Sequence, residues 1–189
     1  MKTRLLFLFI FTLTVSAAHA QLNFVDGYVI TNRNDTIFGK IKYSTPALRS
    51  SKVIFIENGE KEKIKYKPFQ VKGYFVENTI YDSKIYDIDP ALPFGYGVFM
   101  ERRNEGVLKI YYFWNTNKER GFTQTFLEND GDYLMEVDFV GFKKQMTRYF
   151  EDYPKLQSKI KRGTYKKRDL DKMVMEYNEW KRGDWWAGD

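Results

Sequence analysis

Residues 28–43 read Tyr28-Val-Ile-Thr-Asn-Arg-Asn-Asp-Thr-Ile-Phe-Gly-Lys-Ile-Lys-Tyr43, and this stretch decides the fold class. β-branched and aromatic residues recur in partial alternation on both sides of Asn32-Arg-Asn-Asp35, a run of turn formers, which is the pattern of two strands joined by a tight connection. The same grammar repeats downstream. Lys52-Val-Ile-Phe-Ile56, the Asn58-Gly59 turn signal and the alternating Glu62-Lys-Ile-Lys-Tyr-Lys67 predict a second hairpin. Further strands are expected at residues 71–77, 80–88, 96–102, 107–114, 122–127 and 133–139, separated by Asn, Asp, Gly and Pro clusters. About ten short strands spaced roughly ten residues apart, without helical crossovers, predict antiparallel pairing in a sandwich or small barrel. Periodicity does not separate those two arrangements.

After Gly141 the period changes. Phe142, Met146, Tyr149 and Phe150 recur on one helical face, predicting a helix that ends near Asp152. Pro154 suits the first turn of a second helix, with Leu156 and Ile160 on one face and Gly163 as its stop. A third helix is expected from about Lys166 to Lys181, with Leu170, Met173, Val174, Tyr177 and Trp180 as its apolar stripe and Gly183 closing it. The reading is α+β: one domain over 21–189, β-rich over 21–140 and helical over 141–189. Charge divides at the same place. Residues 141–189 carry 13 Lys or Arg against 8 Asp or Glu, whereas residues 21–140 carry 16 against 17. Lys159-Ile-Lys-Arg162 and Lys166-Lys-Arg168 could therefore face acidic lipid, polyanionic glycan or nucleic acid, or simply solvate helix ends, where cations relieve the dipole.

Residues 1–20 are built as a secretory address. Lys2 and Arg4 supply the positive n-region, Leu5 to Val15 the apolar run, and Ala18-His19-Ala20 a small-residue cleavage site before Gln21. The run is too short to cross a bilayer, which needs about 20 apolar residues, and no Cys follows it to accept a lipid. The expected product is an exported, unanchored chain in the periplasm or outside the cell, and export argues against a nucleic-acid partner. What remains is long enough for one domain to bury a core without disulfides.

The only histidine is His19, inside the address, and there is no Cys, so the mature chain has no Cys nucleophile, His base, disulfide or His/Cys zinc site. Hydrolysis would then need paired carboxylates, a Ser/Lys pair or an oxygen-ligated metal. Asp87-Ile-Asp89 puts two acids on one strand face, too close to divide into acid and nucleophile, whose usual gap is about 5 Å or more. Glu128-Asn-Asp-Gly-Asp132 resembles a calcium loop until Gly131 is aligned with the required glycine, which puts Phe126 and Val137 at ligand positions. Gly95-Tyr-Gly97 lacks the Gly, Lys and helix of a phosphate loop. The sequence thus nominates no catalytic residue, cofactor or metal. Its unusual feature is 18% aromatic content. Tyr111-Tyr-Phe-Trp114 sets rings on both faces of one strand, and Trp185-Trp186 follows the last helix; such rings either build the core or anchor partners.

Gly27-Tyr-Val-Ile-Thr with Asn34-Asp-Thr-Ile-Phe-Gly-Lys-Ile41 resembles the opening of a family of uncharacterised secreted envelope proteins of two-membrane bacteria. Val71-Lys-Gly-Tyr-Phe75 is similar to a strand of that family. Tyr149-Phe-Glu-Asp-Tyr-Pro-Lys-Leu156, followed by Asp169-Leu170, Val174 and Tyr177-Asn178, is similar to its closing segment. The resemblance implies a β-rich domain with C-terminal helices, here free-standing and not followed by an outer-membrane barrel, and it implies no activity. Members often carry Cys where Tyr153 stands, so no role of that Cys transfers. The functional expectation is an exported, non-enzymatic envelope module that binds a protein or glycan, with Trp185, Trp186, Lys166, Lys167 and Arg168 as its candidate partner surface. The alternatives are a carboxylate-dependent hydrolase of envelope polysaccharide and a small carrier of an apolar ligand.

Overall fold

The computed structural model describes residues 23–86, 95–115, 121–130 and 133–186, with the backbone alone for the last three of these. The address, its cleavage residues Ala18, Ala20 and Gln21, and the Asp87/Asp89 pair lie outside them. Ten strands form one antiparallel sheet: β1 (Phe24–Ile30), β2 (Thr36–Lys42), β3 (Val53–Glu57), β4 (Ile64–Tyr66), β5 (Gly73–Val76), β6 (Thr79–Tyr86), β7 (Tyr96–Arg102), β8 (Leu108–Asn115), β9 (Phe122–Asn129) and β10 (Met135–Glu136). Their spatial order is β10-β9-β8-β7-β6-β5-β1-β2-β3-β4. Two meanders, β1 to β4 and β5 to β10, are therefore joined where β5 pairs with β1. The α+β class and antiparallel pairing stand as the sequence predicts, and the sheet is not closed.

Register assigns every side chain to a face. Val29, Ile41, Phe55, Tyr74, Tyr81 and Phe99 share the first face; Tyr28, Phe38, Phe75, Ile80, Met100, Tyr111 and Phe126 share the second. Over β1–β3 and β5–β7 the first-face residues form a buried cluster with Val53, Val71 and Val76. A short helix, α1 (Pro46–Ser51), folds over the end of that cluster and touches β7 and β8. The Tyr74 hydroxyl donates to the Arg49 carbonyl at 2.9 Å, tying α1 to the ring stack below it.

β8 and β9 are buried on both faces. On the first face Leu108, Ile110 and Leu127 lie under α2 (Phe142–Tyr149), α3 (Pro154–Lys161) and α4 (Leu170–Trp186), which contribute Phe142, Met146, Leu156, Ile160, Met173, Val174 and Tyr177 to the same core. On the second face Tyr111, Phe113 and Phe126 pack with Tyr86, Val98 and Met100. The helical stripes in the sequence are the faces that dock, because every third or fourth residue meets the sheet.

Three elements differ from the sequence reading. α1 was not foreseen; six residues starting at Pro46 carry too little periodicity to announce a helix, although Pro is well placed in a first turn. β10 covers only Met135–Glu136 of the strand expected at 133–139. Val137 still donates to the Thr125 carbonyl at 2.8 Å, while Gln145 of α2 covers the outer edge of this segment, donating to the Glu136 carbonyl and accepting from the Asp138 amide, each at 2.8 Å. Gly183 does not close α4, which continues to Trp186; a Cβ at Gly183 would meet nothing within 4 Å, and an exposed helical glycine weakens a helix by only about 1 kcal/mol.

Candidate functional site

The cationic segment between α3 and α4 is built by a left-handed glycine. Gly163, at φ +76°, lets its own amide reach the Ile160 carbonyl and the Thr164 amide reach the Lys159 carbonyl, each at 3.0 Å, so α3 ends abruptly and the chain reverses. A single 3-10 turn, Lys167–Asp169, then leads into α4. Asp169 accepts from the Lys166 amide at 3.1 Å and lies 3.7 Å from Lys172. Its charge thus faces the start of α4. Lys161, Arg162, Lys166, Lys167 and Arg168 are left exposed around this one reversal.

Neighbouring cations are treated differently. Lys159 is held by Glu176 at 2.7 Å, Lys181 by Asp152 at 3.1 Å, and the Tyr165 hydroxyl also donates to Glu176 at 2.7 Å. Burial pushes the Glu176 carboxyl up, but hydrogen bonds from Lys159 and Tyr165 and the Lys159 charge outweigh it and hold the group below its ordinary value. The hydrogen bond to Glu176 raises Lys159. By contrast, among the described residues none of the five exposed cations forms an ion pair: Lys161 donates to the neutral Gln157 amide oxygen at 2.7 Å and Arg162 faces the Ser158 carbonyl at 3.4 Å. Five like charges around one turn create a field that attracts an anionic surface and weakens with salt.

The sequence placed Lys166, Lys167 and Arg168 in one surface with Trp185 and Trp186. The structure separates them. The lysines precede α4 and the tryptophans end it, and a 17-residue helix spans about 25 Å. The Trp185 and Trp186 side chains lie outside the described residues. Lys161 and Arg162 end α3, as read from the sequence, and the Gly163 reversal also brings them near Lys166–Arg168 along the chain. The spacing of both basic runs around a single glycine was the signal that would have joined them.

The other constellations have structural partners. Glu128 binds Lys84, and Asp130 lies 2.5 Å from Lys109, so the acids of the 128–132 segment that are described brace neighbouring strands. Asp82 accepts from the Tyr111 hydroxyl at 2.9 Å and faces Arg102 at 3.4 Å. Among the described residues no group of three or more His, Cys, Asp or Glu converges as a metal site. Gly97 at the start of β7 is covered by Pro68 and Phe69, since a Cβ there would come within 2.5 Å of the Phe69 ring. Tyr111 and Phe113 are core residues, whereas Trp114 on the other face is exposed. Tyr74 stacks on Tyr81 at 4.8 Å and meets Phe99 edge-on at 5.0 Å, so these strand rings fill space with one another. No described helix is long and apolar enough to cross a membrane. No family model, curated protein or solved structure matches the chain.

Proposed function

We propose that this protein is an exported, non-enzymatic module of the bacterial envelope that binds an anionic protein or glycan partner through the α3–α4 connection. The observation that carries the reading is the contrast in charge pairing. Lys159, Lys172 and Lys181 have carboxylates beside them, while Lys161, Arg162, Lys166, Lys167 and Arg168 stand exposed without one among the described residues. A folded chain that sets carboxylates beside Lys159, Lys172 and Lys181 and leaves five cations together around one turn presents a surface whose attraction to a polyanion is not offset locally. Export is supported by the address at residues 1–20, and an envelope setting by the resemblance of residues 27–41, 71–75 and 149–178 to secreted envelope proteins.

The test is capture from crosslinked cell envelopes by the chain starting at Gln21, beside a Lys166→Glu/Lys167→Glu/Arg168→Glu variant. One defined protein or glycan held by the parent chain, lost in the variant and released by moderate salt is the expected result. Equal capture by both chains overturns the reading.

A further inference from the structure

A groove of about 650 Å³ lies where α1 crosses the ends of β2 and β3, within the range of roughly 300–1,000 Å³ typical of small-molecule sites. It shares no residue with the α3–α4 connection. Tyr43, Leu48 and Ile54 give it an apolar wall; Lys42, Lys52 and Arg49 are its cations, and Glu77 is the only carboxylate lining it among the described residues. Positive charge is therefore in excess beside an apolar surface.

Arg49 is fixed from the protein side. Its Nε donates to the Ser44 carbonyl at 2.9 Å, its Nη1 lies 3.4 Å from the Tyr81 hydroxyl, and its guanidinium carbon sits 4.9 Å from the centre of the Tyr43 ring. The remaining nitrogen, Nη2, is covered from the solvent side by Glu77 at 2.8 Å. The two partners are unequally held: the Arg49 side chain is 15% exposed and that of Glu77 is 41% exposed. Glu77 also occupies an awkward backbone. It and Asn78 form the two-residue turn between β5 and β6 with φ +50° and +62°, a conformation that favours Gly or Asn and disfavours Glu. Turn chemistry does not explain a glutamate there, whereas contact with Arg49 does.

We propose that this groove binds an alkyl chain ending in a carboxylate, the ligand carboxylate taking the place of Glu77 on Arg49 while the chain lies along Tyr43, Leu48 and Ile54. Arg49 needs no rearrangement to receive it, because its other nitrogens stay bound within the protein. The carboxylate of Glu77 swings to solvent, and Lys42 and Lys52 add attraction for the incoming charge. The site is selective because a neutral or cationic head group cannot replace an ion-paired carboxylate on a guanidinium.

Titration calorimetry on the full chain from Gln21 tests this, using dodecanoate below its micellar concentration, with dodecyl maltoside and dodecyltrimethylammonium as neutral and cationic controls. Dodecanoate is expected to bind once per chain and roughly tenfold more tightly than either control. Glu77→Gln removes the internal competitor and is expected to tighten dodecanoate roughly threefold or more, whereas Arg49→Gln weakens it roughly tenfold. Because Arg49 also supports α1, the surface changes Leu48→Asp and Lys52→Glu provide a second arm, each weakening dodecanoate with the thermal midpoint unchanged. Equal affinity for the three amphiphiles, or weaker dodecanoate binding by a folded Glu77→Gln, overturns the proposal. Envelope capture through the α3–α4 connection is unaffected by either result, so the two readings fail separately.

Discussion

Phe126 and Phe38 stand in one cross-strand row. Register connects Phe126 to Tyr111, Arg102, Ile80, Phe75, Tyr28 and finally Phe38, all on the second face of the sheet. Phe126 is 3% exposed and Phe38 is 61% exposed. Hydrogen bonding along the row is continuous, so backbone pairing does not account for the difference. The surroundings do. Around Phe126 the second face carries Tyr86, Val98, Met100 and Phe113, with Leu134 packed against them, while Phe38 touches the edge of the Tyr28 ring, which in turn stacks on Phe75. The β8–β9 region thus joins two cores through one pair of strands, and the β1–β3 region has its buried cluster on one face only. A single sheet is then expected to open unevenly, its N-terminal strands before its C-terminal ones.

Removing a ring where both faces are buried should break the comparison most severely. Phe126→Ala is expected to destabilise the fold by about 3–5 kcal/mol, the usual range for deleting a buried phenylalanine, measured by chemical denaturation. A loss below about 1 kcal/mol would show that the second-face cluster collapses around the gap, or that it contributes little, and the asymmetry between the halves would disappear.

The joint between helices and sheet is sharper. Asn178 on α4 accepts from the Leu108 amide and donates to the Leu108 carbonyl, both at 2.8 Å and buried. Gly106 makes room for it: φ is +128° there, and a Cβ would lie 2.6 Å from the Asn178 amide nitrogen. Asn178→Ala strands the Leu108 amide at the start of β8 and should cost about 2–3 kcal/mol, with early hydrogen exchange at Leu108. Asn104 also donates to the Leu108 carbonyl at 2.9 Å, so the carbonyl keeps a partner and the loss stays below that of Phe126. Unchanged protection at Leu108 would mean that packing, not this amide pair, docks α4.

Much of this architecture was readable because it is local. The two hairpins follow from Asn32–Asp35 and from Gly59 at φ +89°, and the three docking helices follow from apolar spacing and from Pro154 and Gly163. What sequence did not disclose depends on contacts between distant residues. β1 lies between β2 and β5 because the second meander returns to it, and no periodicity records which edge a returning strand will choose. Asn178 reads as one polar residue on an apolar stripe until Leu108 is placed beside it, 70 positions away. The Arg49 groove was invisible for the same reason, since Arg49 lies on α1, while Glu77, in the turn between β5 and β6, and Tyr81, on β6, come 28 and 32 positions later. The candidate surface was half legible: Lys166–Arg168 as a basic run was evident, and its union with Lys161 and Arg162 required the Gly163 reversal.

Within the C-terminal half, a pH series separates charge from packing. Glu176 is held below its ordinary value of 4.5, so it binds fewer protons in the folded chain than in the unfolded one at acid pH. Its contribution is fully present above that unfolded value and is lost as pH falls through the lower folded one. Glu176→Gln should therefore lower stability by about 1–2 kcal/mol at neutral pH, with the gap between variant and parent closing below roughly pH 4.5. A gap that stays constant from neutral to acid pH would assign the effect to packing beside Tyr165.

The smallest effect is expected at the far end of the row. Phe38→Ala removes a ring that is mostly in water and whose principal neighbour is Tyr28, so the loss should be no more than about 0.5–1 kcal/mol despite deleting the same group as Phe126→Ala. Hydrogen exchange makes the test specific. Amides of β1 and β2 should exchange slightly faster in the variant, with those of β8 and β9 unchanged, because Phe38 adds nothing to the clusters that hold β8 and β9. A loss near that of Phe126→Ala, or acceleration spreading to β8, would show that the row transmits stability along its whole length and that the halves of the sheet form one cooperative unit.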